Sequence, residues 1–234
     1  MCFKIKKYTF LFMSLLCVYC APQIYKAEPG FIPIKDSLSS KEEYFPQRTN
    51  YIGFKDDFFP DIDQSSQFPF LESLEISSPK FKDLSQVGKL KNLQYLNLNG
   101  TSVTSLLPIS ELTGLHTLIL NDTANSDLTP IYKLKKITRL SLVRTAIKDV
   151  QFCRLLPELR HLDIRETSVT NLEPIRESKK LLDLQIGNTQ IQNLKPLYNL
   201  KDLNSLGIDN TPISELEISE LRKMLPYVKI VRRE

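Results

Sequence analysis

Apolar residues return along this chain on a fixed beat. One column runs Leu71, Leu93, Leu115, Ile137, Leu159, Leu181 and Leu203, each 22 residues after the last. Three positions on stands a second column, Leu74, Leu96, Leu118, Leu140, Leu162, Leu184 and Leu206. Two further on comes a third, Ile76, Leu98, Leu120, Leu142, Ile164, Ile186 and Ile208. Seven in-phase copies mark an array of stacked units, since one such unit cannot bury its apolar face alone. Within each copy the last two apolar positions flank an outward one, as a strand with one buried face requires.

The rest of each copy predicts how the chain returns. Leu84, Leu106, Leu128, Val150, Leu172 and Leu194 form one further apolar column, and Val87, Ile109, Ile131, Cys153, Ile175 and Leu197 another. Pro108, Pro130, Pro174 and Pro196 share the position just before the second of these. Proline there suits the first turn of a short helix, where its missing N–H costs nothing. Thr101, Thr123, Thr145, Thr167, Thr189 and Thr211 follow the strands in six consecutive copies. Their hydroxyls are expected to bond backbone groups where the chain bends inward. The predicted coil is strand, tight turn, short 3-10 or α segment, and return. The fold class is therefore α/β, a solenoid with a curved parallel sheet on its concave side and short helical segments on its convex side.

An open stack needs caps at both ends. Ser214-Glu215-Leu216-Glu217 has capping-box spacing. It predicts a helix to Met224 with Leu216 and Leu221 inward, and Leu225, Val228 and Ile230 then continue the 22-residue phase as an eighth strand. The expected division is 71–213 for the repeats and 214–234 for the C-terminal cap helix and last strand. Residues 48–70 read as an N-terminal cap or degenerate repeat, because Ile52, Phe54, Phe59 and Ile62 sit one period before Leu74, Ile76, Phe81 and Leu84. The aromatics of this stretch leave a ligand-binding face open as a second reading. Residues 21–47, with four prolines and no sustained period, read as an extended tether.

The repeat pattern resembles the leucine-rich repeat family, in the 22-residue class typified by bacterial internalins. Its threonine column is similar to that of bacterial surface proteins, including those of pathogenic spirochaetes. The resemblance covers Leu71 to about Val231 and implies the solenoid fold. It also implies a protein-interaction role, with adhesion to host or cell-surface components as the internalin-like expectation.

Composition adds one thing, at the amino terminus. The 234 residues carry a net charge of +4, too mild and too dispersed for a nucleic-acid-binding domain. Lys4, Lys6 and Lys7 precede an uncharged apolar run from Tyr8 to Cys20, the pattern of an export signal over 1–20. The run is too short to span a bilayer as a helix. Cleavage before Ala21 is one reading. Lipidation of Cys20 is another, because Cys17, Val18 and Tyr19 resemble the relaxed lipoboxes of spirochaetes. An uncleaved membrane anchor is a third. Loss of residues 1–20 would remove three lysines, no acid, and three of the four cysteines, leaving Cys153. The even cysteine count is then no disulfide framework.

Searching the chain for chemistry returns little. His116 and His161 stand in different columns with no metal-ligand spacing, and no glycine-rich phosphate loop or nucleophile elbow occurs. No enzyme, cofactor or metal is expected. Asp56-Asp57 and Asp61-Ile-Asp63 read as solvated loop, and Cys153 as a packed small hydrophobe. The acceptor-like triplets Asn99-Gly100-Thr101 and Asn121-Asp122-Thr123 follow from the threonine column alone.

What varies is the outward face of the strands. Eight parallel strands would give a strip of roughly 34 Å. Its mixed-charge middle holds Arg139, Arg144, His161, Asp163 and Arg165, flanked by Tyr95, Ile119 and Val143. Arginine and tyrosine favour interface hot spots, and an apolar residue facing outward is not needed by the core. These eight residues are the candidate partner-binding set. The expected protein is an exported, monomeric interaction module, secreted or at the bacterial surface or outer membrane. Its partner is a protein, with no nucleic acid and no membrane contact beyond a lipid anchor. An intracellular adaptor similar to phosphatase-regulating 22-residue-repeat proteins, or an architectural envelope lipoprotein, is the alternative.

Overall fold

The computed structural model describes residues 30–35, 41–55 and 67–233. The apolar columns become a nine-stranded parallel sheet: β3 (Tyr51–Lys55), β4 (Ser73–Ser77), β5 (Tyr95–Asn97), β6 (Thr117–Ile119), β7 (Arg139–Ser141), β8 (His161–Asp163), β9 (Asp183–Gln185), β10 (Ser205–Gly207) and β11 (Lys229–Val231). Register follows the sequence period. Leu74 lies opposite Leu96, Leu96 opposite Leu118, and so on to Leu184 opposite Leu206. These leucines, and the isoleucine or leucine two residues after each, are almost wholly buried and form one continuous core. Each fully buried aliphatic side chain contributes about 1.5–3 kcal/mol. The returning limb passes through short 3-10 turns, four of which carry proline at the first or second position.

Two columns of side chains hold the bends. All six threonines donate Oγ1–H to the carbonyl three residues back in their own coil, at 2.6–2.8 Å. The bonds run within coils, so the column is a set of identical staples and not a threonine-to-threonine ladder. A second column opens the 3-10 turns. Asp83, Ser105, Asp127, Asp149, Asn171 and Asn193 each accept from the backbone N–H two residues on. These short polar side chains satisfy donors that the turn leaves without a partner. The same bonds hold the Asp83 and Asp127 carboxyls below the ordinary aspartate range.

Between strand and threonine the chain takes a left-handed residue in six successive coils: Gly100, Asp122, Arg144, Glu166, Asn188 and Asn210 have φ of 48–69°. The first five donate their N–H to the carbonyl of the preceding position in the next coil, from Gly100 to Asn121 through Asn188 to Asp209. Glycine and asparagine suit this conformation, whereas arginine and glutamate adopt it at a cost.

The ends depart from expectation in five ways. A ninth strand exists, because Ile52 and Phe54 pair with Leu74 and Ile76 and give the degenerate first coil a real sheet position. Residues 31–35 and 42–46, read as part of an extended tether, are strands. β1 (Phe31–Lys35) and β2 (Glu42–Pro46) pair antiparallel, and Phe45 packs edge-on against Phe54 with ring centroids 5.6 Å apart. Alternation in FIPIK places Ile32 and Ile34 on the buried side, a period-2 signal hidden by the prolines.

At the other end, α1 (Glu215–Met224) replaces a 3-10 turn and is longer. Its extra residues shift the last strand, so Leu206 faces Ile230 and Ser205 faces Lys229, not Val228 and Tyr227. Ser214 caps α1 by accepting from the Glu217 N–H. Glu217 does not reach back to Ser214; its carboxylate accepts from the Leu194 N–H of the preceding coil at 2.9 Å. Ile218 and Leu221 are the buried pair of α1, while Leu216 is 70% exposed. Five residues of helix separate Leu216 from Leu221 by about 140°, so both cannot face the core.

Candidate binding face

The outward residues of the sheet form three rows, read across the strands. The first holds Tyr51, Ser73, Tyr95, Thr117, Arg139, His161, Asp183, Ser205 and Lys229. The second runs from Gly53 through Glu75, Asn97, Ile119, Ser141, Asp163 and Gln185 to Gly207. The third, just past the strands, contains Asn99, Asn121, Val143, Arg165, Gly187 and Asp209. At about 4.8 Å per strand the nine strands extend the strip to roughly 38 Å.

Of the eight candidate residues, four keep free or partly free surface on the strands. Tyr95 and Ile119 are partly exposed, Arg139 is exposed, and His161 lies beside Arg139 as its direct cross-strand partner. The Tyr95 phenol is pushed up to about 12, first by burial and then by the Glu75 carboxylate, so it stays a neutral donor. Burial lowers His161 below the ordinary histidine value, with Arg139 the next cause. Asp183, across the next strand, pulls the other way, and Arg160 adds a further lowering.

The remaining four are committed within the molecule. Val143 does not offer an apolar surface: it is only 6% exposed, and its N–H is held by Asn121 Oδ1 at 2.9 Å. Arg144 is the left-handed residue of its coil and lies at the edge of the sheet. Its guanidinium spans Asp122 (Nη2 to Oδ2, 2.8 Å) and Glu166 (Nη1 to Oε1, 3.0 Å). Asp163 receives a fork from Arg165, Nη2 to Oδ2 at 2.7 Å and Nε to Oδ1 at 2.9 Å. These two are a neutralised pair. Sequence spacing brings all eight near one another but does not say which charges are already matched.

Two residues outside the candidate set matter. Arg160 precedes β8, is exposed, and acts on both His161 and Glu158; Glu158 itself is bonded by Lys180 at 2.6 Å. Asn121, in the first acceptor-like triplet after the strand of its coil, spends its Oδ1 on Ser141 and Val143. Among the described residues no group of His, Cys, Asp and Glu is arranged to hold a metal, and no helix is long and apolar enough to cross a membrane. Cys153 is buried and its thiol is raised far from reactivity by desolvation. Cys20 and the rest of the export signal, and the acidic pairs of 56–63, lie outside the described residues.

Solved structures share this arrangement. Internalin C2 of Listeria monocytogenes matches with a TM-score of 0.67 at 22% identity, over 82% of this chain and 85% of that one. Internalin F of the same species gives 0.60 at 23% identity, over 74% and 59%. A leucine-rich repeat protein of Leptospira interrogans gives 0.57 at 23% identity, over 72% and 56%. The fold is an internalin-like leucine-rich repeat solenoid. The chain spans less than two thirds of internalin F and of the Leptospira protein. No family model matches the sequence, and neither does any curated protein. In the leucine-rich repeat frame the rows above belong to the strand side, and the 3-10 turns to the opposite limb.

Proposed function

We propose that this protein is an exported, non-enzymatic interaction module that captures a protein partner on the strand face of its solenoid, at a bacterial surface or after secretion. The observation that carries the reading is the contrast between the two sides of each strand. Inward positions repeat leucine and isoleucine from coil to coil, whereas the outward rows change residue type at almost every step. A surface that served only to stay soluble has no need of Ile119 and Tyr95 in the middle of a polar strip. The leucine-rich repeat fold supports protein binding in general terms, and stacked-repeat proteins use this extended face for it. Adhesion to host or cell-surface components is the specific form proposed, with the chain acting as a monomer.

Two measurements test this reading. A photo-reactive phenylalanine analogue at Ile119 should cross-link a surface-exposed protein of the natural environment, while the same analogue at Leu107 on the opposite limb should not. Equal yields from both positions reject the strand face as the capture surface. The mass of the mature amino terminus tests export. Loss of residues 1–20 supports it, a lipid mass on Cys20 makes the protein an envelope lipoprotein, and an intact Met1 favours the adaptor reading.

A further inference from the structure

Arginines on and beside the sheet fall into two groups. Arg144 and Arg165 are each held by carboxylates of this chain, at distances that leave their guanidinium groups matched. Arg139 and Arg160 have no carboxylate within ion-pair distance among the described residues. Two acids of this neighbourhood are already engaged: Glu158, which feels Arg160, is taken by Lys180, and Asp183, the strand partner of His161, accepts from the Gln185 amide at 2.8 Å. Two like charges therefore lie beside His161, Arg139 as its partner on the neighbouring strand and Arg160 as the residue before it, and both act on the imidazole. Unmatched like charges repel, and an arriving anion relieves that repulsion.

The surroundings say what kind of anion fits. Thr117 and Ile119 lie on β6, next to Arg139 and Ser141 on β7, so a hydroxyl and an apolar side chain adjoin Arg139. Glu75 lies three strands toward the amino end, and Asp163 and Asp183 one and two strands toward the carboxyl end. An extended polyanion laid along the strip would meet acids on both sides of the cationic centre. A single carboxylate at Arg139 and His161 adjoins only Asp163 and Asp183, which are already engaged by Arg165 and by the Gln185 amide.

We infer that Arg139, Arg160 and His161 form a subsite for one carboxylate of a partner protein, an Asp or Glu flanked by apolar residues that rest on Ile119. Guanidinium groups hold a carboxylate by two parallel N–H bonds, which gives orientation as well as attraction. The neutral imidazole of His161 adds a donor without a third charge, and Tyr95 bounds the subsite two strands away. This assignment rests on the strand face being the capture surface.

The test uses the full chain and three probes. Acetyl-Leu-Glu-Leu-amide should shift the His161 ring resonances saturably in NMR titration, and acetyl-Leu-Gln-Leu-amide should not. In R139Q/R160Q the apparent affinity for the Glu peptide should fall by about tenfold or more, with the thermal midpoint unchanged. Equal shifts from both peptides, no saturable shift, or an unaffected double variant overturns the subsite. A heparin hexasaccharide that binds here more tightly than the Glu peptide also overturns it, since the anion is then a sulfate. Failure of this inference and failure of the capture reading are separable. Ile119 cross-linking that persists in R139Q/R160Q removes the subsite and leaves the capture face. A Glu-peptide response without any Ile119 cross-link does the reverse.

Discussion

Leu118 and Ile119 are neighbours on one strand and belong to different worlds. Leu118 is wholly buried between Leu96 and Leu140, and its column is leucine in all seven copies. Ile119 points the other way, and its row reads Glu, Asn, Ile, Ser, Asp, Gln and Gly across successive coils. Side-chain alternation separates the two by a single residue. The inward face answers to packing, which is the same problem in every coil and has the same solution. The outward face meets no packing demand common to every coil, so its variation is where the proposed partner would be encoded.

Breaking the inward face should cost most. Leu118→Ala should lower unfolding stability by about 2–5 kcal/mol, measured by urea denaturation, because neighbouring coils on both sides limit collapse of the cavity. A loss below about 1 kcal/mol would mean that the coils can close up and are less tightly stacked than described. The staples come next. Thr189→Val keeps the shape but removes the hydroxyl that donates to the Ile186 carbonyl at 2.6 Å, and should cost about 1–3 kcal/mol.

A third substitution should go the opposite way. Asn125 occupies the buried column otherwise filled by Val103, Ile147, Val169, Ile191 and Ile213. Its Nδ2 donates to the Val103 carbonyl at 2.9 Å, but its Oδ1 is buried without a partner. Asn125→Val gives up one modest hydrogen bond and removes the unmatched oxygen. It should raise stability by about 1 kcal/mol in the same denaturation assay. A decrease would show that the Val103 carbonyl depends on that amide.

The smallest effect concerns His161. Its folded-state value is depressed, so the unfolded chain takes up the proton first as pH falls. The stability tied to His161 is full above its unfolded value and is lost as pH falls through the lower folded value. Arg139→Gln should move the His161 titration upward toward the ordinary histidine value and narrow that window, as read by NMR of the ring protons. An unmoved titration would mean that burial alone sets it.

How far the sequence carries the reader follows the same division. Strand positions, the threonine column and the 3-10 turns are all legible, because a 22-residue repeat reports one physical requirement many times. The ends are harder: the prolines of FIPIK hide a hairpin, and α1 adds residues that break the phase at Leu206 and Ile230. The candidate face is harder still. Arg139 and Arg165 look alike in sequence, yet one is open and the other is forked onto Asp163. Whether a charge is already matched depends on rotamers and on the left-handed bend at Arg144, neither of which has a period. The polar column from Asp83 to Asn193 was legible in principle, since it repeats, but mixed Asp, Ser and Asn mask it.

One measurement tests the division most directly: cross-linking yield from the photo-reactive residue at Ile119, compared in R139Q/R160Q and in Thr189→Val at equal folded fraction. The expected result is a large loss of yield in the arginine variant with its thermal midpoint intact, and full yield in the threonine variant despite its lower midpoint. A full yield from the arginine variant would contradict the arginine subsite, and a lost yield from the folded threonine variant would contradict the assignment of recognition to the outward face.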